Sequence, residues 1–204
     1  MINLDPSKER IGFLVRHGEL TNPGCWDGWG DLTLSEEGRQ QAERAAHWLS
    51  FEKIGRAVCS DLPRTIETAE YLMNTGVVAC PHLACDPNLR PRKVGDFTGK
   101  EKTPALLAEF QKYLDDPSLQ IPDGESQDQL TTRVQVIYQY LCAPYEALPT
   151  ACFVHNSVLK ALMGLQGEKE AVTPGGIIGV YMDEKGEVSF QIVLGEANAE
   201  KGVS

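Results

Sequence analysis

The sequence has no uninterrupted apolar run of about 18 residues, so it contains no segment able to cross a bilayer as a helix. It has no internal repeat, no low-complexity tract and no long linker, and it reads as one domain over residues 1–195 with a flexible polar tail at 196–204. Positive charge is scarce. Nineteen Lys and Arg face 29 Asp and Glu, a formal net charge of −10, which argues against nucleic acid or an anionic membrane as partner. Residues 1–10 are polar and charged and lack the apolar core of a secretory signal, so the expected compartment is the cytoplasm. Cysteine patterning excludes as much. Cys59 and Cys152 lie in apolar runs, where a free thiol behaves as a small hydrophobe. Cys80-Pro81-His82 with Cys85 lacks a second pair at zinc spacing, so neither a disulfide framework nor a metal site is expected.

What is present is a chain of alternating apolar runs and amphipathic segments. Ile11 to Val15 reads as a buried strand that ends abruptly in Arg16-His17-Gly18-Glu19. A Gly, Asn, Pro and Trp-rich loop spans Leu20 to Gly30. Ser35 then caps a helix whose Ala42, Ala45, Ala46 and Leu49 form a narrow apolar face. Ala57-Val58-Cys59 is a second strand, and Pro63 opens a helix running to about Asn74 with Arg64 in its first turn. Gly76 to Cys80 is a further strand candidate. Asp86 to Pro104 is irregular and carries Arg90, Arg92, Lys93, Lys100 and Lys102, a local reversal of the chain's charge. Helices follow at Ala105 to Leu114 and, behind the capping box Ser126/Gln129, over one long segment through Leu130, Val134, Ile137 and Leu141. Ala151 to Val154 is another apolar strand ending in His155, with a helix from about Val158. Ile177 to Met182 and Val188 to Leu194 form an edge hairpin about Glu184-Lys185-Gly186.

The alternation specifies an α/β fold, a three-layer α/β/α sandwich with a mostly parallel sheet. In such a sheet the strand ends point to one side, so Arg16, His17, Arg64 and His155 converge on one crevice. Two imidazoles and two guanidiniums suit a tetrahedral dianion. One neutral imidazole attacks phosphorus while the cations stabilise charge on the equatorial oxygens, and this chemistry requires no metal or other cofactor.

These blocks resemble the histidine phosphatase superfamily, the clan of phosphoglycerate mutases and related phosphatases. Arg16-His17-Gly18-Glu19 matches its signature, and Asp31-Leu32-Thr33-Leu34-Ser35 with Gly38 and Gln41-Ala42 is similar to the segment that follows. Ser60-Asp61-Leu62-Pro63-Arg64 with Thr68-Ala69, Gly124-Glu125-Ser126 and Phe153-Val154-His155 complete the set in the family's order, from about Ile11 to Leu162. The resemblance implies that His17 is the nucleophile and becomes phosphohistidine. It implies that Arg16, Arg64 and His155 bind and polarise the phosphoryl group, that Asn22 is a further ligand, and that Glu19 has either a site role or a structural one.

One position departs from the family's pattern. The glutamate that serves as proton donor would follow Leu89-Arg90, and here that place is Pro91. Either another group is recruited, with Asp96 and Glu101 the nearest candidates, or no strong acid is used. Arg90, Arg92 and Lys93 flank the vacated position to bind a second anionic group or stabilise an anionic leaving group. The expected activity is a phosphatase for a small phosphorylated metabolite, weak on simple alkyl esters because general acid help is missing. The alternatives are a phosphate-binding module with little turnover and a phosphoglycerate-type mutase. The expected assembly is a monomer or homodimer.

Overall fold

The computed structural model describes residues 8–22, 24–165 and 171–196. The first seven residues, Pro23, residues 166–170 and the tail beyond Glu196 lie outside the described residues. In chain order the elements are β1 (Lys8–Arg16), α1 (Glu36–Leu49), β2 (Arg56–Cys59), α2 (Pro63–Met73), β3 (Ala84–Cys85), α3 (Pro104–Asp115), α4 (Gln127–Val134), α5 (Val136–Leu141), β4 (Thr150–Val154), α6 (Asn156–Met163), β5 (Ile177–Asp183) and β6 (Val188–Leu194).

The strands form one six-stranded sheet in the order β3-β2-β4-β1-β5-β6. Pairs β2/β3, β2/β4 and β1/β4 are parallel, while β1/β5 and β5/β6 are antiparallel. Side-chain alternation explains why the central strands read as continuous apolar runs. Leu14, Val58 and Cys152 face one way and pack on Leu130, Val134, Ile137, Leu141, Val158 and Leu159 of α4, α5 and α6. Phe13, Val15, Ala57, Cys59, Ala151 and Phe153 face the other way, onto Ala45, Ala46 and Leu49 of α1 and Ala69 and Leu72 of α2. A strand covered on both faces must be apolar at every position. The three-layer architecture with a mostly parallel sheet follows.

Two expected elements differ. The segment from Gly76 to Cys80 forms only a bridge from Val78 to Ile54. Its amides at Ala79 and Cys80 donate to Ile54 and Gly55, and the ladder stops where Pro81 has no N–H to give. The third strand is instead the two-residue β3. The long helix after Ser126 is broken at Gln135 into α4 and α5, although its buried stripe is continuous. Thr131 and Thr132 hydroxyls donate back to the carbonyls of Gln127 and Asp128, and the Gln135 amide reaches Thr132 in a tightened turn. Such back-bonding bends helices. The capping box itself is present, with Ser126 accepting from Gln129 N–H and Gln129 Oε1 accepting from Ser126 N–H.

A smaller apolar cluster sits apart from both faces of the sheet. Trp26, Val94, Phe97, Phe110, Tyr113 and Ile121 pack together, with Phe97 and Phe110 edge-on at 5.1 Å. This cluster gives the irregular segment from Asp86 to Pro104 its own small core, with short 3₁₀ turns at Pro87–Leu89 and Gly95–Phe97.

The end of β1 is fixed against α1 by two glycines in backbone contact. A Cβ on Gly18 would lie 2.2 Å from the Gly38 carbonyl oxygen, and one on Gly38 would lie 2.1 Å from the Glu19 carbonyl oxygen. Ser35 N–H donates to Glu19 O, and Glu19 N–H donates to Gln41 Oε1. Backbone cannot yield as a side chain can, so Gly38→Ala is expected to destabilise the fold by about 1–3 kcal/mol. Gly24→Ala, where a Cβ meets nothing within 4 Å, is expected to be near neutral in the same urea titration. Equal midpoints for the two variants would remove this contact from the account.

Candidate active site

Three parallel strands end at one edge of the sheet and deliver His17 from β1, Ser60 from β2 and His155 from β4. Helices α2 and α6 start there too, with Arg64 in the first turn of α2 and His155 as the cap of α6. A helix start of this kind favours an anion. The crevice is a cavity of about 300 Å³ lined by Arg16, His17, Arg64, Arg92 and His155, among others.

The hydrogen bonds assign the tautomer of each histidine. His17 Nδ1 lies 2.7 Å from the Gly18 carbonyl oxygen. A carbonyl can only accept, so Nδ1 carries the proton and Nε2 keeps its lone pair. Arg64 Nε donates to His155 Nδ1 at 3.2 Å, so the His155 proton is on Nε2, which donates to Ser60 Oγ at 2.7 Å. Ser60 Oγ in turn lies 2.6 Å from Thr65 Oγ1. The two imidazoles meet edge to face, 5.1 Å between centroids.

Arg64 is 1% exposed. Nη1 donates to Gly30 O at 2.8 Å and Nη2 to Gly28 O at 2.7 Å. With Nε on His155, three of the five guanidinium N–H groups are used, and two remain for a ligand. Burial pulls Arg64 down to about 10, partly offset by Asp27 and Asp31, so it stays charged at neutral pH. Both histidines are held well below the ordinary imidazole value. Burial is the main cause for each, followed by Arg64 and, for His17, Arg16. Both imidazoles are therefore neutral at pH 7.

Arg92 forms the opposite wall. It is 4% exposed, donates from Nε to Glu125 O and from Nη1 to Tyr113 O, and its buried Nη2 has no partner among the described residues. Pro91 also lines the cavity, and its carbonyl accepts from Trp29 Nε1 and Arg133 Nη2. Asn22, Arg90 and Lys93 are not among the lining residues. Asn22 is exposed, with Nδ2 3.1 Å from Cys25 Sγ. Arg90 is engaged in a bidentate pair with Asp61, both bonds 2.6 Å, and Arg90 and Lys93 lie over the Trp29 ring. Asp96 and Glu101 are exposed and lie outside the cavity. Glu19 also lies outside it, and its backbone joins β1 to α1.

Four residues to which sequence reasoning assigned no role act here. Glu125 binds Arg133 and the Lys93 amide, and Arg133 also holds the carbonyls of Asn88, Arg90 and Pro91, so this pair shapes the Pro91 wall. Ser60 orients His155. Asp27 is the single carboxylate among the lining residues, and its Oδ1 is buried without a hydrogen-bond partner among the described residues. Burial pushes its carboxyl up, opposed by Arg64 and Lys102. The Ser60 signal was within the matched Ser-Asp-Leu-Pro-Arg block. Asp27 had none, because its loop shows no periodicity. Among the described residues no group of three or more His, Cys, Asp or Glu could hold a metal ion, and no helix is long and apolar enough to cross a membrane.

The depressed imidazoles make stability depend on pH. Their folded values lie below the unfolded value of about 6.5, so the unfolded chain binds more protons as pH falls through that value. Stability present above about pH 6.5 is lost downward toward the folded values, at up to about 1.4 kcal/mol per pH unit for each histidine. His17→Gln is expected to flatten the wild-type slope below about pH 6.5 by that amount in urea titrations. An unchanged slope would show that His17 is not held neutral.

The comparisons with known proteins agree with this arrangement. A family model for the histidine phosphatase superfamily (branch 1) matches residues 13–172. The fructose-2,6-bisphosphatase TIGAR of Xenopus laevis is 32% identical over 133 residues, covering 63% of this chain and 48% of that one. Phosphoglycerate mutase-like protein 4 of Arabidopsis thaliana is 32% identical over 165 residues, covering 73% and 67%. The chain thus spans between about half and two thirds of the length of these relatives. The solved phosphoglycerate mutase of Thermus thermophilus is 31% identical, with a TM-score of 0.66 over 89% of this chain and 98% of that one. With about four-fifths of its length inside the family model and its paired histidines and arginines at one sheet edge, the chain belongs to the histidine phosphatase superfamily.

Proposed function

We propose that this protein is a metal-independent phosphatase that hydrolyses a small phosphorylated metabolite through a phosphohistidine on His17. The observation that carries the reading is the Nδ1 contact to Gly18 O, which leaves a neutral, buried Nε2 lone pair facing the cavity cations. Nε2 attacks phosphorus and the bond to the leaving oxygen breaks. Water then displaces the imidazole and releases inorganic phosphate. Arg16 and the two unused N–H groups of Arg64 hold the equatorial oxygens, where fixed donors stabilise the developing charge. His155 keeps Arg64 aimed through its Nδ1 and packs against the nucleophile.

The rest of the substrate lies toward Arg92, whose buried Nη2 suits a second anionic group, with Lys102 and Lys160 also in the lining. Arg90, Lys93 and Asn22 contribute to binding only if the loops that carry them move, since their side chains are engaged elsewhere. A cavity of about 300 Å³ suits a metabolite-sized ligand. Nucleic acid and membrane do not fit a chain of net charge −10.

A mutase is the second reading, favoured by the names of two of the relatives. A mutase must keep phosphohistidine from water and return it to a phosphorylated product. A binding module needs no nucleophilic imidazole.

The deciding measurement is phosphate release from p-nitrophenyl phosphate, with intact-mass detection of a phosphoryl adduct. Wild type is expected to form an adduct that maps to His17 and to release inorganic phosphate. His17→Ala is expected to lose at least about 10³ in kcat. Equal release by both proteins would refute the assignment, and an adduct stable in water but discharged to phosphoglycerate would favour the mutase.

A further inference from the structure

Pro91 lines the cavity where the family's proton donor is expected, and a proline side chain carries no proton. The acidic residues expected to replace it do not, and neither does Glu125. Asp96 and Glu101 are exposed outside the cavity, and Glu125 is engaged by Arg133 and by the Lys93 amide. One carboxyl group does reach the lining. Asp27 sits on the turn whose Gly28 and Gly30 carbonyls clamp Arg64, so the turn is fixed to the phosphoryl-binding guanidinium itself.

The geometry points to Asp27 as the general acid and base of the reaction, carried on the Arg64 clamp in place of the residue missing at position 91. The assignment rests on the phosphatase reading above. Three observations support it. Asp27 is the single carboxylate among the described lining residues, alongside His17. Its Oδ1 is buried and has no hydrogen-bond partner among the described residues, an arrangement costly for a purely structural carboxylate. It also makes no hydrogen bond to Arg64, whose three bonds to described residues go to the Gly28 and Gly30 carbonyls and to His155.

The charges facing Asp27 set its protonation. Burial raises its carboxyl, while Arg64 from α2 and Lys102 from the segment before α3 lower it. Arg16 and His17 at the end of β1, His155 before α6, Lys160 on α6, and Arg92 face the same cavity. A bound phosphoryl dianion neutralises these cations and adds like charge beside the carboxyl. Substrate therefore raises Asp27 further, in the direction that a proton donor requires.

The steps balance. His17 Nε2 donates its pair to phosphorus, the P–O bond to the leaving group breaks, and the leaving oxygen takes the Asp27 proton. Products are an alcohol, the Asp27 carboxylate and phosphohistidine. Asp27 then takes a proton from the water that attacks phosphorus, the P–N bond breaks, and the pair returns to Nε2. The weak alkyl-ester turnover expected from Pro91 alone does not follow, because a donor is present on another loop.

The test uses rapid-quench kinetics with two substrates. Nitrophenolate leaves well without a proton, whereas the alkoxide of 3-phosphoglycerate does not. In Asp27→Asn the phosphorylation step with 3-phosphoglycerate is expected to slow by about 10²–10⁴, with the nitrophenolate burst changed less than about tenfold. The phosphohistidine lifetime should lengthen, the alkaline limb of the 3-phosphoglycerate pH–rate profile should disappear, and Asp27→Glu should recover part of the rate. Equal slowing of both substrates, no slowing of either, or an alkaline limb that persists in Asp27→Asn overturns the assignment. Thermal midpoints of the variants exclude misfolding as the cause. Absence of any wild-type adduct with p-nitrophenyl phosphate would instead overturn the phosphatase reading.

Discussion

The burial of one guanidinium organises this molecule. Arg64 is 1% exposed, and removing an ion of that kind from water costs several kcal/mol, on the order of a whole domain's net stability, a cost that hydrogen-bond acceptors offset. Three acceptors come from two places in the chain: Gly28 O and Gly30 O in the loop after β1, and His155 Nδ1 at the end of β4. Arg64 itself stands on α2. Meeting its needs therefore brings a loop, a helix and a strand end to one point, the same point to which β1 delivers His17. Fold and site share one constraint.

The electrostatics follow from that constraint. Five cationic side chains, Arg16, Arg64, Arg92, Lys102 and Lys160, line a small cavity within a chain of net charge −10. Adding charged imidazoles would make the cluster more repulsive, so burial and the arginines together hold His17 and His155 neutral. The site concentrates positive charge, with two Arg64 N–H groups and the buried Arg92 Nη2 without partners among the described residues, an arrangement that suits an anion. Burying two arginines and two neutral imidazoles at one sheet edge is costly, as expected where function and local stability compete.

Much of this was legible in the sequence, for identifiable reasons. The central strands are covered on both faces and show as apolar runs, and their polar ends mark the site. Arg16, His17, Arg64 and His155 were readable because each sits at an element boundary with a recognisable signal. The Gly76–Cys80 strand failed because strand propensity is local, whereas pairing depends on what lies beside it, and Pro81 ended the ladder early. The helix break at Gln135 failed because a continuous apolar stripe conceals threonine back-bonding. The basic segment divides more instructively. Arg90, Arg92 and Lys93 are neighbours in sequence, yet one pairs with Asp61, one enters the cavity and one lies over Trp29. Irregular chain has no period from which to read a direction.

Irregular loops also explain how chemistry can change its address within an unchanged frame. Position 91 is fixed from behind, where Arg133 and Trp29 hold its carbonyl and Glu125 holds Arg133, so the backbone wall stands whatever side chain is present. A proline there preserves the wall and removes only the proton. The Asp27 turn lines the same cavity and is fixed by Arg64 through the Gly28 and Gly30 carbonyls. A proton donor needs reach to the leaving oxygen and a suitable protonation state, and neither requirement names a place in the sequence. Two rigid loops facing one reacting centre can exchange that duty without disturbing the nucleophile, because the histidines and arginines are held by the sheet edge and the donor is not.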